Sequence, residues 1–240
     1  MDTPQVYRPR TLTPEMVAAE NARFMTYVYG WMTAGLCLTG AVAWYIGQNE
    51  QLAISLVTNR LLFWVLIIAQ LGAVFALAGL IKRINATTAA VIYFAYAALT
   101  GMTLSVIFLI YTTASVTSVF ALTAFSFAGL SAVGAVTKRD LGPIGSFCTM
   151  GLFGLIGFGL LSLIFPSLMG GQASFIYGLV GVIVFAGLTA YDTQKIKAMN
   201  VIGNEGTDED RKEAIYGALT LYLDFINLFL SLLRLMGRRK

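Results

Sequence analysis

Two carboxyl groups stand inside otherwise apolar runs. They are Asp192 in Gly187-Leu188-Thr189-Ala190-Tyr191-Asp192-Thr193-Gln194 and Asp224 in Leu221-Tyr222-Leu223-Asp224-Phe225-Ile226-Asn227-Leu228-Phe229. The chain has twelve Asp and Glu, and every other one falls in the N-terminal tail, in a loop or at the start of a helix. An ionisable side chain inside a bilayer costs at least ~2.5–3.5 kcal/mol to insert and marks an ion or proton path by default. If the two carboxyls meet, burial and mutual repulsion disfavour two charges, and the pair shares one proton. A shared proton fastens two helices and its loss adds repulsion, which makes a pH switch without histidine. The same oxygens are hard ligands suited to Ca²⁺, so Asp192 and Asp224 are also the expected metal-contacting pair. The plainer alternative is that each Asp is neutralised by Lys or Arg, or capped by Tyr or Asn.

The elements that must position these groups are helices. Gly217, Thr220, Asp224, Asn227, Ser231 and Arg234 recur at spacings of 3 and 4, which lays them on one stripe of a helix otherwise made of Leu, Ile, Phe, Tyr and Ala. A polar stripe on a membrane helix faces protein or a water-filled cavity, so this helix is expected at the centre of the fold. Upstream, Gly178, Gly181, Phe185, Asp192 and Lys195 share a face, and the glycines permit close approach. Depth is the difficulty. Asp224 lies ~15 Å into its span at 1.5 Å per residue, whereas Asp192 lies near the cytoplasmic end, so tilt or a longer preceding helix must close the gap.

Composition sets the class. Hydrophobic residues make up 58%, charged residues 12%, and mean hydropathy is +0.76. A soluble domain carries about 25% charged residues. The expectation is an all-α membrane protein in the lipid bilayer. It has a polar tail over 1–22 and a domain over 23–240 with seven transmembrane helices, the seventh central. The predicted spans are 24–46, 61–81, 88–111, 116–136, 144–165, 175–191 (continuing helically past Lys195) and 214–235, each near the ~20 residues a bilayer needs. Gly145, Gly151, Gly154 and Gly157 in the fifth span are read as packing positions. Eleven of the 16 Lys and Arg fall on the side of the N-terminus, which places that end in the cytoplasm. The net charge of +4 is therefore a topology signal, and no nucleic-acid partner is expected. The absence of His excludes His-based metal sites, proton relays and Ser-His catalysis. Cys37 and Cys148 lie in apolar segments and no disulfide is expected. The charged loop over 205–213 reads as solvated.

The sequence resembles the Bax inhibitor motif (Bax inhibitor-1) family of seven-helix membrane proteins, in a bacterial member. Two motifs carry the resemblance: Tyr191-Asp192-Thr193-Gln194 at the end of the sixth span and Leu221 to Phe229 in the seventh. The resemblance implies a central seventh helix, a proton-sensitive aspartate pair and a pH-dependent Ca²⁺ leak in the inner membrane. It also implies a role for an Arg near the end of the second span, best matched by Arg83. Asn227, Thr220 and Ser231 complete the expected ion path; Ca²⁺ is cargo, and no cofactor is expected. Some relatives modulate other membrane proteins, including a membrane-bound protease, and that interaction role is the alternative function. An enzyme is not expected. Intramembrane aspartyl proteases also pair two Asp, but carry Gly-x-Gly-Asp where this chain has Leu221-Tyr222-Leu223-Asp224, and a later Pro-Ala-Leu where this chain has no Pro after Pro166.

Overall fold

A computed structural model describes residues 13–240. Its helices are α1 (Pro14–Gly47), α2 (Glu50–Thr58), α3 (Arg60–Leu80), α4 (Ala86–Leu104), α5 (Ile107–Ile110), α6 (Thr113–Val136), α7 (Gly142–Ile164), α8 (Gly171–Met199) and α9 (Asp208–Met236), with a 3₁₀ turn at Pro166–Met169. Asn and Thr write many of the helix starts. The side chains of Asn49, Asn59, Asn85 and Thr207 each accept the backbone N–H three residues on, a cap worth about 1 kcal/mol. Asn85, which opens an Asn-x-Thr triplet, thus serves as the cap of α4.

Among the described residues six helices, α3, α4 with α5, α6, α7, α8 and α9, are long and apolar enough to cross a membrane. The expected first span corresponds to α1. It has 34 residues, but Thr, Gly, Tyr and Trp dilute its apolar stretch. It still runs the height of the bundle. Near its start Arg23 bonds Asp210 at the beginning of α9, and at its other end Gly47 packs on Phe108 of α5. Helix begins at Pro14, inside the expected tail; residues 1–12 of that tail, with Arg8 and Arg10, lie outside the described residues. The expected third span is broken at Ser105–Val106 into α4 and α5.

The chain is apolar outside as well as inside. Phe75, Phe125, Phe147, Phe153 and Ile164 face outward, as a lipid solvent permits. Inside, α9 packs on α1, α4, α6 and α8. Of its most apolar stretch 56% is buried, against 33% or less in the other five candidate spans. Phe24 and Val28 of α1, Tyr93 of α4 and Ile215, Leu221 and Tyr222 of α9 form one core cluster. Cys148, Val184, Leu188 and Leu228 form a second between α7, α8 and α9. Of the fifth-span glycines, Gly145 and Gly151 make close contacts on α8, whereas Gly154 and Gly157 meet nothing within 4 Å. Packing accounts for only half of that pattern.

The C-terminal segment lies at the end of the bundle away from the start of α1. Thr112 donates its N–H to the Arg238 carbonyl at 3.1 Å and Lys240 donates to the Ile110 carbonyl at 2.9 Å. The basic segment 238–240 is thus tied into the gap between α5 and α6.

Candidate functional site

The register of α8 against α9 decides whether the aspartates meet. The two helices run antiparallel, with Gly178 opposite Leu235, Gly181 opposite Ser231 and Ile196 opposite Gly217. Interpolating, Asp192 and Asp224 stand about one turn apart in height, ~4.5 Å. The Cα–Cβ bonds close this gap, because each tilts toward its own helix N-terminus. In an antiparallel pair those tilts converge here. The two carboxyls come within hydrogen-bonding reach of each other. The depth difficulty is removed because α8 runs on to Met199, past the polar Gln194 and Lys195.

Every neighbour in Tyr191-Asp192-Thr193-Gln194 is anchored elsewhere, which leaves Asp192 facing α9. The Tyr191 ring fills the space over Gly145 of α7, and the Ala190 carbonyl lies against Gly134 of α6. Thr193 donates to the Thr189 carbonyl at 2.7 Å and lies 3.2 Å from Ser131 Oγ of α6. Gln194 clasps the α6–α7 turn, accepting from Leu141 N–H at 3.0 Å and donating to the Arg139 carbonyl at 2.9 Å.

Asp224 is fixed by its own flanks. Tyr222 Oη and Thr39 Oγ1 are 2.7 Å apart, and Thr39 donates its single proton to the Ala97 carbonyl at 2.8 Å. Tyr222 must therefore be the donor, bonding α9 to α1. Phe225 meets Phe120 and Phe127 of α6 edge-on at 5.3 and 5.4 Å. Asp224 is 5% exposed, and no N–H or O–H of the described residues reaches its Oδ2. A proton carried by one of the two carboxyls is what can join them. Among the described residues no third Asp, Glu, Cys or His joins the pair.

The other predicted residues are placed differently. Thr220 and Ser231 donate to carbonyls one turn back on α9, at 3.1 and 2.7 Å, and Asn227 does so at 2.8 Å. Their side chains do not bond the aspartates. Asn227 and Ser231 line a cavity of about 140 Å³ together with Arg234. Arg83 is exposed in the turn after α3 and makes no hydrogen bond or ion pair with either Asp among the described residues. Lys195, one turn beyond Asp192, lies 5.8 Å over the Tyr191 ring.

Sequence reasoning missed an ion-pair cluster at the N-terminal end. Arg23 donates to both oxygens of Asp210, at 3.1 and 3.0 Å, and to Glu20 at 2.7 Å. Asp210 is 1% exposed, although the 205–213 stretch reads as a solvated loop. In fact 208–213 are the first turns of α9. Hydrogen bonds to Glu20 and then to Asp210 raise the Arg23 guanidinium further above its ordinary value. No sequence signal joins two residues so far apart in the chain.

Comparison with known proteins adds a family. The family described as "Inhibitor of apoptosis-promoting Bax1" matches residues 21–240. Inner membrane protein YbhL of Escherichia coli (strain K12) is 47% identical over 218 residues, covering 90% of this chain and 92% of that protein. An uncharacterized protein of Deinococcus radiodurans is 40% identical over 228 residues, with 95% and 96% covered. One of Borreliella burgdorferi is 38% identical over 218 residues, with 91% and 93% covered. The chain belongs to this Bax inhibitor-1 family.

Proposed function

We propose that this Bax inhibitor-1 family protein sits in a bacterial inner membrane and lets Ca²⁺ leak across it, under the control of a proton shared by Asp192 and Asp224. The observation that carries this reading is the contact of two carboxyls, one of them buried, with no donor to satisfy Asp224 Oδ2. A merely structural pair would be expected to hold an ion pair, and among the described residues neither Arg83 nor the nearby Lys195 makes one with either Asp. The inner-membrane placement is supported by the likeness to YbhL. In this reading α1 is a seventh crossing, α9 is the central helix, and the N-terminus is cytoplasmic. Support comes from the run of α1 along the bundle, from the start of α1 and the C-terminal segment lying at opposite ends of it, and from the distribution of Lys and Arg. The chain is proposed to carry out no catalytic step.

The mechanism follows from the brace around Asp192. While the proton is shared, α8 and α9 are fastened. When it leaves, two negative charges face each other. Asp192 is held from behind by α6 and α7, so the repulsion acts on the α8–α9 contact. The vacated oxygens then attract a divalent cation. Of the other titratable groups, Lys195 on α8 and Cys148 on α7 lie near enough to act on the pair electrostatically. From α6, Ser131 approaches through Thr193.

The test is Ca²⁺ flux into proteoliposomes across a pH series. An Asn amide donates to its partner as a protonated acid does, so Asp192→Asn and Asp224→Asn should each mimic the fastened state. Flux should fall and lose its pH dependence. A flux and pH profile identical to the parent in both variants would remove the pair from the mechanism.

A further inference from the structure

The polar stripe of α9 ends on a positive charge. Past Asp224 it continues through Asn227 and Ser231 to Arg234, and these three line the 140 Å³ cavity with Tyr177, Phe185 and Leu155. Water occupies about 30 Å³ per molecule in the liquid, so the cavity has room for a few. A guanidinium at a membrane helix end ordinarily reaches out to the interface or pairs with a carboxylate. Arg234, half-buried in the last turn of α9, pairs with no carboxylate of the described residues. Its guanidinium lies 4.6 Å over the Tyr177 ring, and Nη1 donates to Met169 Sδ at 3.1 Å. Tyr177 is itself pinned by donating its hydroxyl to the Leu155 carbonyl at 3.3 Å. No carboxylate of the described residues lies within 4.0 Å of it. The charge is thus held over the mouth of this cavity, between Tyr177 of α8 and Met169 of the 3₁₀ turn, by neutral partners alone.

We propose that Arg234 is a specificity-determining gate charge: it excludes cations from the outer end of the α9 path until it swings off Tyr177. The inference rests on reading the stripe as a Ca²⁺ path. It deepens that reading by giving the path two ends of opposite sign, the aspartate pair and the Arg234 vestibule. A cation–π contact with one neutral ring is weak enough to be exchanged for solvent when the helices shift. It also opposes a divalent cation more strongly than a monovalent one, since repulsion scales with charge.

The experiment uses the full chain with Cys37→Ser and Cys148→Ser, and Asn227→Cys as a reporter in the cavity. The rates of alkylation by anionic iodoacetate and cationic 2-bromoethylamine are each divided by that of neutral iodoacetamide, which removes changes in thiol reactivity. With Arg234 present the anion should be favoured about tenfold. Arg234→Gln should abolish the preference and Arg234→Lys should keep it. Equal preference in all three chains, or no alkylation of Cys at 227 in any of them, overturns the proposal. Ca²⁺ flux is then read in parallel, and Arg234→Gln should raise it about threefold at a given pH. A charge preference without flux in any variant at any pH would leave the vestibule standing and dispose of the leak reading. Flux in the parent unchanged by Arg234→Gln would dispose of the gate alone.

Discussion

Arg23 and Asp210 offer the most calculable perturbation of the fold. The two hydrogen bonds of 3.1 and 3.0 Å form a fork, and Asp210 takes a third from the Gly206 N–H at 2.9 Å. Gly206 can offer that N–H because its φ of 74 suits glycine. The two single substitutions are not equivalent. Asp210→Asn leaves Arg23 with Glu20, and Arg23 is 29% exposed to solvent in its side chain. Arg23→Gln instead strands a carboxylate that is 1% exposed with only one backbone donor. Breaking a buried pair costs about 3–5 kcal/mol, and the partial exposure of Arg23 argues for the low end, about 3 kcal/mol. Losing charge-assisted hydrogen bonds at Asp210→Asn should cost about 1.5 kcal/mol. For a chain of this size 1 kcal/mol lowers Tm by about 2–4 °C. Thermal unfolding in detergent should therefore drop by about 6–12 °C for Arg23→Gln and about 3–6 °C for Asp210→Asn. The double variant should lose less than the two combined, as expected of residues in contact. Shifts below about 2 °C in both single variants would mean that the pair behaves as an exposed one, and the tie between α1 and α9 would lose its energetic basis.

Two further substitutions test the packing that presents the aspartates. Tyr222→Phe removes the bond to Thr39 while Thr39 keeps its bond to Ala97, so Tm should fall by about 2–4 °C, the effect of about 1 kcal/mol. Gly134→Ala would drive a Cβ into the Ala190 carbonyl beside Asp192 and should destabilise by about 1–3 kcal/mol. Gly154→Ala, with nothing within 4 Å, should be neutral or slightly stabilising, and equal unfolding temperatures for the two glycine variants would refute the packing account.

Much of the site was legible because membranes punish charge. Two carboxylates in apolar runs are conspicuous against a chain whose other acids lie in polar stretches, and the 3-and-4 spacing of α9 follows from helix geometry alone. The helices themselves follow from apolar length and from Asn or Thr caps. Three things did not follow. Asp192 and Asp224 differ in depth when counted along their spans, and only the antiparallel register of α8 on α9 brings them together. Thr220, Asn227 and Ser231 lie on the predicted stripe, yet their side chains turn back to their own helix, because a carbonyl one turn away is the nearest acceptor. Asp210, in a run of charges that any sequence reading leaves in water, is buried because Arg23 on α1 folds across it. Periodicity and burial cost are local properties of a chain and can be read from it. Pairing across helices depends on distances that only packing sets, which is why the residues were visible in the sequence and their partners were not.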